Sequence, residues 1–312
     1  MNITRLDELI KKTVPALPEL RIADVYDFVN MQLPPRENIL SPWLPMQGLA
    51  MIYAPRGVGK THVALGIANA ITTLTPFLGW TAPKARGVLY LDGEMPAALM
   101  QERLLGLIGA SKPLAPFRLL TPDLQQDAMP DLATHKGQLM LEPYLNDIEL
   151  IIVDNISTLC RSGRENEADS WLLVQEWALR MRAAGKSILF IHHAGKGGNQ
   201  RGTSKREDIL DTVIVLKRPD DYKPQDGAVF QVHFEKARSF LGDDAESFEA
   251  QLITKDGLPE WLVRPVSNSS YDEVVRLVNE GHTQKGIAEK MNLHKSNVSR
   301  HLKRAHEEGK VL

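Results

Sequence analysis

The chain has 312 residues and a formal net charge of −2, which excludes a polycation and requires any nucleic-acid contact to come from local basic patches. Its one cysteine, Cys160, excludes an intramolecular disulfide and multi-cysteine zinc sites, and is typical of a reducing compartment. Because no apolar run approaches the ~20 residues of a membrane span and the N-terminus lacks the apolar segment of a signal peptide, we expect a cytoplasmic protein without membrane contacts.

The first predicted elements lie in a proline-rich N-terminal region. Residues 4–12 have short helical periodicity, and a second short helix is predicted around residues 23–31. Prolines recur between residues 15 and 45, where they remove backbone donors and resist regular structure. We therefore expect residues 1–32 to form a helix on an extended arm, apart from the domain that follows.

Residues 33–266 alternate between short apolar runs and amphipathic stretches. The runs that predict strands are residues 49–54, 87–92, 117–121, 149–154 and 187–193. Near-continuous apolar strands that alternate with helices are typical of a parallel sheet covered on both faces. Two later runs, residues 211–217 and 228–238, come without long helices between them and are expected to extend one edge. The sequence therefore predicts an α/β fold with a mostly parallel central sheet.

Residues 54–61 read Ala-Pro-Arg-Gly-Val-Gly-Lys-Thr and fit the phosphate-binding P-loop, with Ala54 where glycine is usual. The two glycines let backbone N–H groups turn toward phosphate oxygens, and the following helix offers its N-terminus to the anion. Lys60 would reach the β- and γ-phosphates of ATP, and the Thr61 hydroxyl would bind Mg²⁺. The alternative is a glycine turn without a ligand. The predicted nucleotide-binding residues are Pro55, Arg56, Gly57, Val58, Gly59, Lys60, Thr61 and His62.

Acidic residues follow two of the predicted strands. Asp154 ends the strand at residues 149–154, where a carboxylate can complete the Mg²⁺ shell from the neighbouring strand end. Glu94 lies just beyond the strand at residues 87–92, at the sheet edge where ligands collect, and could polarise the attacking water. Asp92 is the alternative for the role of base. As the last residue of its strand, however, it could have no function beyond capping the following turn. We favour Glu94 as the catalytic base.

The order of these motifs resembles that of the RecA-type ATPase core. The P-loop is followed by a strand with a nearby glutamate, by VDNIST at residues 153–158, by FIHH at residues 190–193 and by a later strand with Lys-x-Arg. The resemblance covers residues 33–264. Within the RecA-type proteins, this sequence looks most like the RepA-type hexameric replicative helicases of plasmids and related mobile elements. It implies a RecA-like fold, Mg²⁺-dependent ATP hydrolysis and assembly into a homo-oligomeric ring. The ring is expected to be a hexamer and to move on single-stranded DNA.

The resemblance also implies a role for the histidines that end the strand at residues 187–193. Adjacent strand residues point to opposite faces, so His192 and His193 are not expected to share a metal ion, and one of them is expected to lie in the core. In the family, the residue at this position is a polar sensor near the γ-phosphate. The sensor is therefore assigned to His193.

In the family, the sensor strand leads into a loop that contacts DNA in the central channel. The loop behind His193 combines glycines with basic side chains that can follow a phosphate backbone. A solvated flexible loop is the alternative, and the mixed-charge segment at residues 157–170 is a second candidate channel loop. The candidate DNA-binding residues of the loop are Lys196, Arg201, Lys205 and Arg206.

Lys236 and Arg238 lie on the predicted strand at residues 228–238. Lys-x-Arg at a strand end resembles the pair that hexameric motors insert into the neighbouring subunit's site, where Arg238 would be the arginine finger and Lys236 its companion. An exposed strand with ordinary ion pairs is the alternative. The resemblance further implies that the N-terminal helix and arm dock onto an adjacent protomer.

Residues 284–303 have the pattern of a helix-turn-helix, after a polar linker at residues 268–270 and a preceding helix. Between residues 283 and 306 there are six Lys and Arg against one acid, Glu289, in a chain that is slightly acidic overall. Residues 271–312 are therefore predicted to form a small all-α domain that binds duplex DNA, with a protein-docking module as the alternative. Its candidate DNA-binding residues are Lys295, Ser296, Asn297 and Arg300.

Taken together, the sequence favours a ring-forming, DNA-translocating ATPase of the replicative helicase type. Two alternatives stay open: an ATP-switched DNA-binding regulator, and a RecA-like recombination or repair ATPase that forms filaments. The expected ligands are ATP, Mg²⁺ and DNA.

Overall fold

The computed structural model describes residues 20–109, 112–161, 168–195, 207–219, 222–255, 258–266, 269–291, 293 and 295–311. The chain divides into two compact units, residues 1–36 and 37–312. In the first unit, helix α1 (Val25–Val29) lies within the helix predicted at residues 23–31 and begins at Asp24, whose side chain accepts a hydrogen bond from the backbone N–H of Tyr26. The helix predicted at residues 4–12 lies outside the described residues.

The second unit contains a nine-stranded sheet and a separate two-stranded hairpin. The hairpin consists of β1 (Asn38–Leu40) and β2 (Leu44–Pro45). The sheet strands are β3 (Leu49–Ala54), β4 (Val88–Asp92), β5 (Phe117–Leu120), β6 (Leu150–Asp154), β7 (Ser187–His193), β8 (Thr212–Lys217), β9 (Val229–Ala237), β10 (Phe248–Lys255) and β11 (Leu258–Pro265).

The sheet has a parallel half and an antiparallel half, in the order β11-β10-β9-β8-β3-β7-β6-β4-β5. Strands β8, β3, β7, β6, β4 and β5 run parallel, and β9, β10 and β11 continue the sheet in antiparallel pairs. The predicted mostly parallel sheet with an extension at one edge is therefore confirmed. The sequence analysis assigned no strands to the β1–β2 hairpin or to β10 and β11.

Helices cover both faces of the parallel half. The helices of the second unit are α2 (Lys60–Thr73), α3 (Ala97–Ile108), α4 (His135–Leu139), α5 (Ile156–Leu159), α6 (Ala168–Ala183), α7 (Ser269–Asn279), α8 (Gln284–Lys290) and α9 (Lys295–Glu307). Residues of α2 and α3 pack on the face that carries Ile52 and Ile152, and residues of α5 and α6 pack on the face that carries Met51 and Ile151. Alternate residues of each strand thus enter two different cores, which explains why the strands read as continuous apolar runs.

The C-terminal helices α7, α8 and α9 enclose a small apolar core of their own. Val274, Leu277, Ile287 and Val298 are fully buried within it, and Met291, Leu293 and Leu302 pack against it. The predicted polar linker was placed too far along the chain, because Ser269 and Ser270 already belong to α7. Serine is favoured at helix N-termini, so a polar stretch there marks the start of a helix as readily as a linker.

None of the helices that the structure describes combines the length and the apolar character needed to cross a bilayer.

Gly87 provides a test of how tightly β4 and β6 are joined. Its carbonyl accepts hydrogen bonds from the backbone N–H groups of Glu149 and Leu150, and a Cβ added at Gly87 would lie 1.9 Å from the backbone oxygen of Asp147. Since backbone must move to relieve this clash, we expect Gly87→Ala to lower the free energy of unfolding by about 1–3 kcal/mol, measured by urea denaturation.

Gly106→Ala is the matched control, because Gly106 is exposed on α3 and nothing lies within 4 Å of an added Cβ. This change should raise stability by about 0.5–1 kcal/mol through helix propensity. A Gly87→Ala protein as stable as the wild type would contradict the packing described for this junction.

Candidate active site

The P-loop connects the end of β3 to the start of α2, as its sequence predicts. Gly57 and Gly59 have φ angles of 77° and 114°, in the left-handed region where a side chain is strained, so the curl of the loop requires glycine at both positions. Lys60 is buried, and its Nζ donates hydrogen bonds to the carbonyls of Ala54 and Pro55, each at 2.9 Å. The loop therefore fixes the ammonium group at the end of the sheet.

A cleft of about 710 Å³ opens beside this loop. It is lined by Arg56, Gly57, Gly59, Lys60, Thr61, Glu94, Met95, Arg103, Asp154, Asn155 and His193. Two of the predicted nucleotide-binding side chains point elsewhere, since Val58 is buried in the core and the His62 ring packs against Trp261 with 5.6 Å between centroids. The structure thus brings the P-loop, both predicted acids and the predicted sensor histidine to one cavity.

Asp154 is the most buried carboxylate of the cleft. Its Oδ2 accepts a 2.6 Å hydrogen bond from the Tyr90 hydroxyl, and the Thr61 hydroxyl also bonds to it. Burial raises the pKa of Asp154 to about 6, although both hydrogen bonds oppose that shift. A hydroxyl and a carboxylate are hard oxygen ligands of the kind that Mg²⁺ accepts beside substrate phosphates, so Thr61 and Asp154 fit this ion.

The geometry distinguishes the two candidate bases. Asp92 is buried, and its carboxylate accepts hydrogen bonds from the backbone N–H groups of Glu94 and Met95 and from the Thr121 hydroxyl at 3.1–3.3 Å. Asp92 therefore caps the turn after β4. The Glu94 side chain is 50% exposed in the cleft, with Oε1 3.8 Å from Nε2 of His193. Of the two carboxylates, Glu94 is the one that a water in the cleft can reach.

His193 and His192 have separate environments, as their alternation on β7 predicts. His192 is fully buried, whereas His193 faces the cleft on the same side of the sheet as α2. The Nε2 of His193 lies 3.4 Å from Nδ2 of Asn155 and close to Glu94. Burial and the positive charge of Lys60 lower the pKa of His193, and Glu94 opposes this, so the ring is neutral at pH 7.

Lys60 also has a lowered pKa, and burial is the main cause. The carboxylates of Asp154 and Glu94 oppose the shift and favour the charged ammonium group.

Among the described residues, no cluster of three or more His, Cys, Asp or Glu side chains could hold a metal ion without other ligands. Any divalent ion in this cleft would therefore depend on substrate phosphates and water as well as on Thr61 and Asp154.

Lys236 and Arg238 lie at the end of the sheet opposite to the P-loop, where β3 begins. The backbone N–H of Arg238 donates to Asp211, whose own N–H donates to the carbonyl of Leu49 at the start of β3. At about 3.3 Å per residue, this position is roughly 16 Å from the P-loop end of the strand. The Lys236 ammonium donates to the carbonyl of Glu207, and the Arg238 guanidinium donates to that of Asp208 at 3.2 Å. Neither side chain is in the cleft of its own chain.

The predicted DNA-binding residues fall into two groups. Lys196, Arg201, Lys205 and Arg206 lie outside the described residues. Lys295, Ser296 and Arg300 are exposed on α9, which also contains Asn297. The helix α8 before it begins at Thr283, whose side chain accepts a hydrogen bond from the N–H of Gly286. The described residues thus place the basic side chains on the last helix of the three-helix unit.

Sequence analysis missed three residues in or next to the cleft. Tyr90 on β4 donates a hydrogen bond to Asp154 from beneath the cleft. Asn155, the residue after β6, lies against His193 in the cleft, and Arg103 reaches the cleft from α3. The sequence offered a signal only for Asn155, which directly follows Asp154. The other two become visible once the strand order is known.

Comparison with known proteins assigns the family. Residues 16–199 match the family described as the AAA domain, and this match covers more than half of the chain. The chain therefore belongs to the AAA domain family. No curated protein matches the sequence.

The comparison of structures supports the same class of fold. A KaiC-like protein from the hyperthermophilic archaeon Pyrococcus horikoshii OT3 superposes with a TM-score of 0.52 at 12% identity, over 73% of this chain and 94% of that chain. Together with the family match, this defines a RecA-like P-loop ATPase and confirms the predicted core. Such a family implies that the chain binds a nucleotide, usually with Mg²⁺.

The environment of His193 gives a test of the cleft's electrostatics. We expect NMR titration to give His193 a pKa below the ordinary value of histidine, and Glu94→Gln to lower it further because the one opposing carboxylate is lost. His233 on β9 is the internal control, since its lowered pKa arises from burial and Lys217 and should not respond to Glu94→Gln. A His193 pKa that rises in the variant would contradict the geometry.

Proposed function

We propose that this protein is a ring-forming, ATP-driven DNA motor of the RepA-type replicative helicase class, which moves on single-stranded DNA. The observation that carries the proposal is the position of His193. It contacts Asn155 and lies beside Glu94 in the nucleotide cleft, and the basic segment that includes Lys196 and Arg201 begins a few residues further along the chain. A change at the γ-phosphate could therefore reach a DNA-contacting loop through one short strand end.

The predicted site residues of the cleft have distinct roles in the proposed hydrolysis. The P-loop N–H groups and Lys60 would hold the β- and γ-phosphates, and Lys60 would exchange its carbonyl partners for phosphate oxygens. Thr61 and Asp154 would hold Mg²⁺, which neutralises charge that develops on the phosphates. Glu94 would orient and deprotonate the attacking water, because it is the exposed carboxylate of the cleft. A neutral His193 would donate a hydrogen bond to the γ-phosphate.

Ring formation is proposed from residues that cannot serve their own site. Arg238 and Lys236 lie at the far edge of the sheet, so they could complete only the cleft of a neighbouring copy, as the arginine finger and its companion. The N-terminal arm supports assembly as well. Helix α1 buries none of its residues, and Val25, Tyr26 and Val29 are at least 70% exposed, which suits docking onto another protomer.

The predicted C-terminal domain, residues 271–312, is proposed to bind duplex DNA. Its helices pack around one small core, and α9 presents Lys295 and Arg300 at its surface. Phosphate contacts from such side chains would bring the motor to a duplex site such as an origin. This same unit favours the second candidate function, an ATP-switched DNA-binding regulator in which hydrolysis only times assembly. A filament-forming recombination ATPase remains the third.

DNA dependence of hydrolysis separates the first two functions. We expect steady-state ATP hydrolysis to rise many-fold with single-stranded DNA and little with random duplex at moderate salt, because the channel loop would bind single strands. Lys60→Ala should lower the rate by about 100-fold or more, since it removes a phosphate-binding charge. A hydrolysis rate that does not change when single-stranded DNA is added, together with sequence-specific duplex binding, would support the function of an ATP-switched regulator. Filaments of heterogeneous length on DNA would support the recombination ATPase.

Shared sites can be tested by mixing inactive variants. Lys60→Ala and Arg238→Ala proteins should each be inactive, and mixed assemblies should recover hydrolysis because some clefts would combine an intact P-loop with a neighbour's intact Arg238. Assembly of the mixture is verified by co-purification of differently tagged chains.

Arg218 is the matched control for this experiment, because its Nη2 donates to the carbonyl of Gly57 in the same chain at 3.0 Å. Any effect of Arg218→Ala is therefore expected on the cleft of its own chain, so mixing this variant with Lys60→Ala should give no activity beyond that of the Arg218→Ala chains alone. Absence of rescue in the Arg238 mixture, with mixed assembly demonstrated, would rule out Arg238 as a finger in trans.

A further inference from the structure

We infer that Tyr90 is the positioning residue of the metal site, where its hydroxyl holds the Asp154 carboxylate in the orientation that binds Mg²⁺. The inference rests on the proposed Mg²⁺ role of Asp154 and extends it to a residue that no sequence motif includes. Tyr90 lies on β4, two residues before that strand's last residue, and does not line the cleft itself.

The strand register explains why a tyrosine at this position reaches Asp154. Tyr90 stands opposite Ile152 in the parallel pair of β4 and β6, so Asp154 is its diagonal neighbour two residues further along. Tyr90 and Ile152 enter the same core, which places Asp154 on that face as well. Diagonal neighbours are about 7–8 Å apart, a span that an aromatic side chain with a terminal hydroxyl can cross. The 2.6 Å bond from the hydroxyl to Oδ2 is the result.

The burial of Tyr90 indicates that its hydroxyl requires this hydrogen bond. The side chain is fully buried among apolar residues that include Val88, Met100 and Ile152. A hydroxyl in such surroundings is unfavourable unless it is hydrogen-bonded, and phenylalanine would fill the same space without that requirement. Here the partner is a carboxylate, and a hydrogen bond to a charged acceptor is stronger than one between neutral groups.

The bond also limits how the carboxylate can turn. Asp154 is 5% exposed, with Tyr90 bonded to its Oδ2 and the Thr61 hydroxyl bonded to the same carboxylate. A carboxylate held from the side of the sheet presents its remaining lone pairs toward Thr61 and the cleft. Outer groups that orient a ligand in this way commonly contribute 10–100-fold to metal affinity.

The test compares Mg²⁺ dependence with Mg²⁺-independent nucleotide binding. Binding of a fluorescent, non-hydrolysable ATP analogue is measured first in EDTA and then as Mg²⁺ is added. We expect Tyr90→Phe to bind the analogue in EDTA within about twofold of wild type, and to need about tenfold more Mg²⁺ for half of the Mg²⁺-dependent change. Asp154→Asn should need at least as much Mg²⁺, and adding Tyr90→Phe to it should have little further effect because both act through one ligand.

Tyr53→Phe is the matched control. Tyr53 is another buried strand tyrosine, but its hydroxyl bonds to Glu235 on the opposite face of the sheet, so the Mg²⁺ requirement should not change. Thermal unfolding confirms that each variant is folded, and Tyr90→Met serves as a second hydroxyl-free variant should the phenylalanine protein fail to fold.

The outcomes separate the two levels of the inference. An unchanged Mg²⁺ requirement in Tyr90→Phe, alongside a raised one in Asp154→Asn, would overturn the role of Tyr90 and leave that of Asp154 intact. No change in Asp154→Asn would instead refute the proposed metal site. Equal loss of binding with and without Mg²⁺ in Tyr90→Phe would show that Tyr90 supports packing of the cleft and does not position the ligand.

Discussion

The cleft depends on one constraint, the in-register parallel pairing of β3, β7, β6 and β4. Asp92 stands opposite Asp154, Asp154 stands opposite Ile191, and Ala54 stands opposite His193. Because parallel strands end at the same edge, residues that are far apart in the chain reach one cavity without long loops. A shift of one residue in any pair would turn a side chain of the cleft to the other core. The apolar strand residues that fix this register therefore also fix the chemistry.

Burial at this edge sets the protonation states that hydrolysis needs. Burial shifts the pKa values of Lys60, Asp154 and His193 toward their neutral forms. Neighbouring carboxylates oppose the shift at Lys60 and His193, and hydrogen bonds from Tyr90 and Thr61 oppose it at Asp154. The Glu94 side chain differs from these groups in burial, since half of it is exposed. The buried groups suit fixed roles in binding, whereas an exposed carboxylate can exchange a proton with water. The two carboxylates of the cleft thus differ in proposed role because they differ in burial: Asp154 would bind the metal ion, and Glu94 would act on water.

Sequence reasoning succeeded where one strand or loop contains the whole signal. The strands at residues 49–54 and 187–193 were predicted with the bounds observed, because both are continuous apolar runs that end in polar loops. The β10–β11 hairpin was missed, although an Asp-Gly pair between its strands is a hairpin signal. Tyr90 was missed for a different reason. Its partner lies 64 residues away, so only the strand order reveals the contact.

Arg238 is separated from the cleft of its own chain, so its proposed role depends on assembly with a second copy. The antiparallel turn into β9 carries Arg238 back to the start of β3, away from the P-loop at the strand's other end. An arginine that acts on phosphate would then require a second copy, so occupancy of one cleft would be sensed at the opposite edge of the next chain. The turn that contains Glu207 and Asp208 binds both Lys236 and Arg238, and it directly follows the basic loop behind His193. Along the chain, the proposed DNA-contacting loop therefore connects the proposed sensor, His193, to the turn that binds the proposed finger, Arg238.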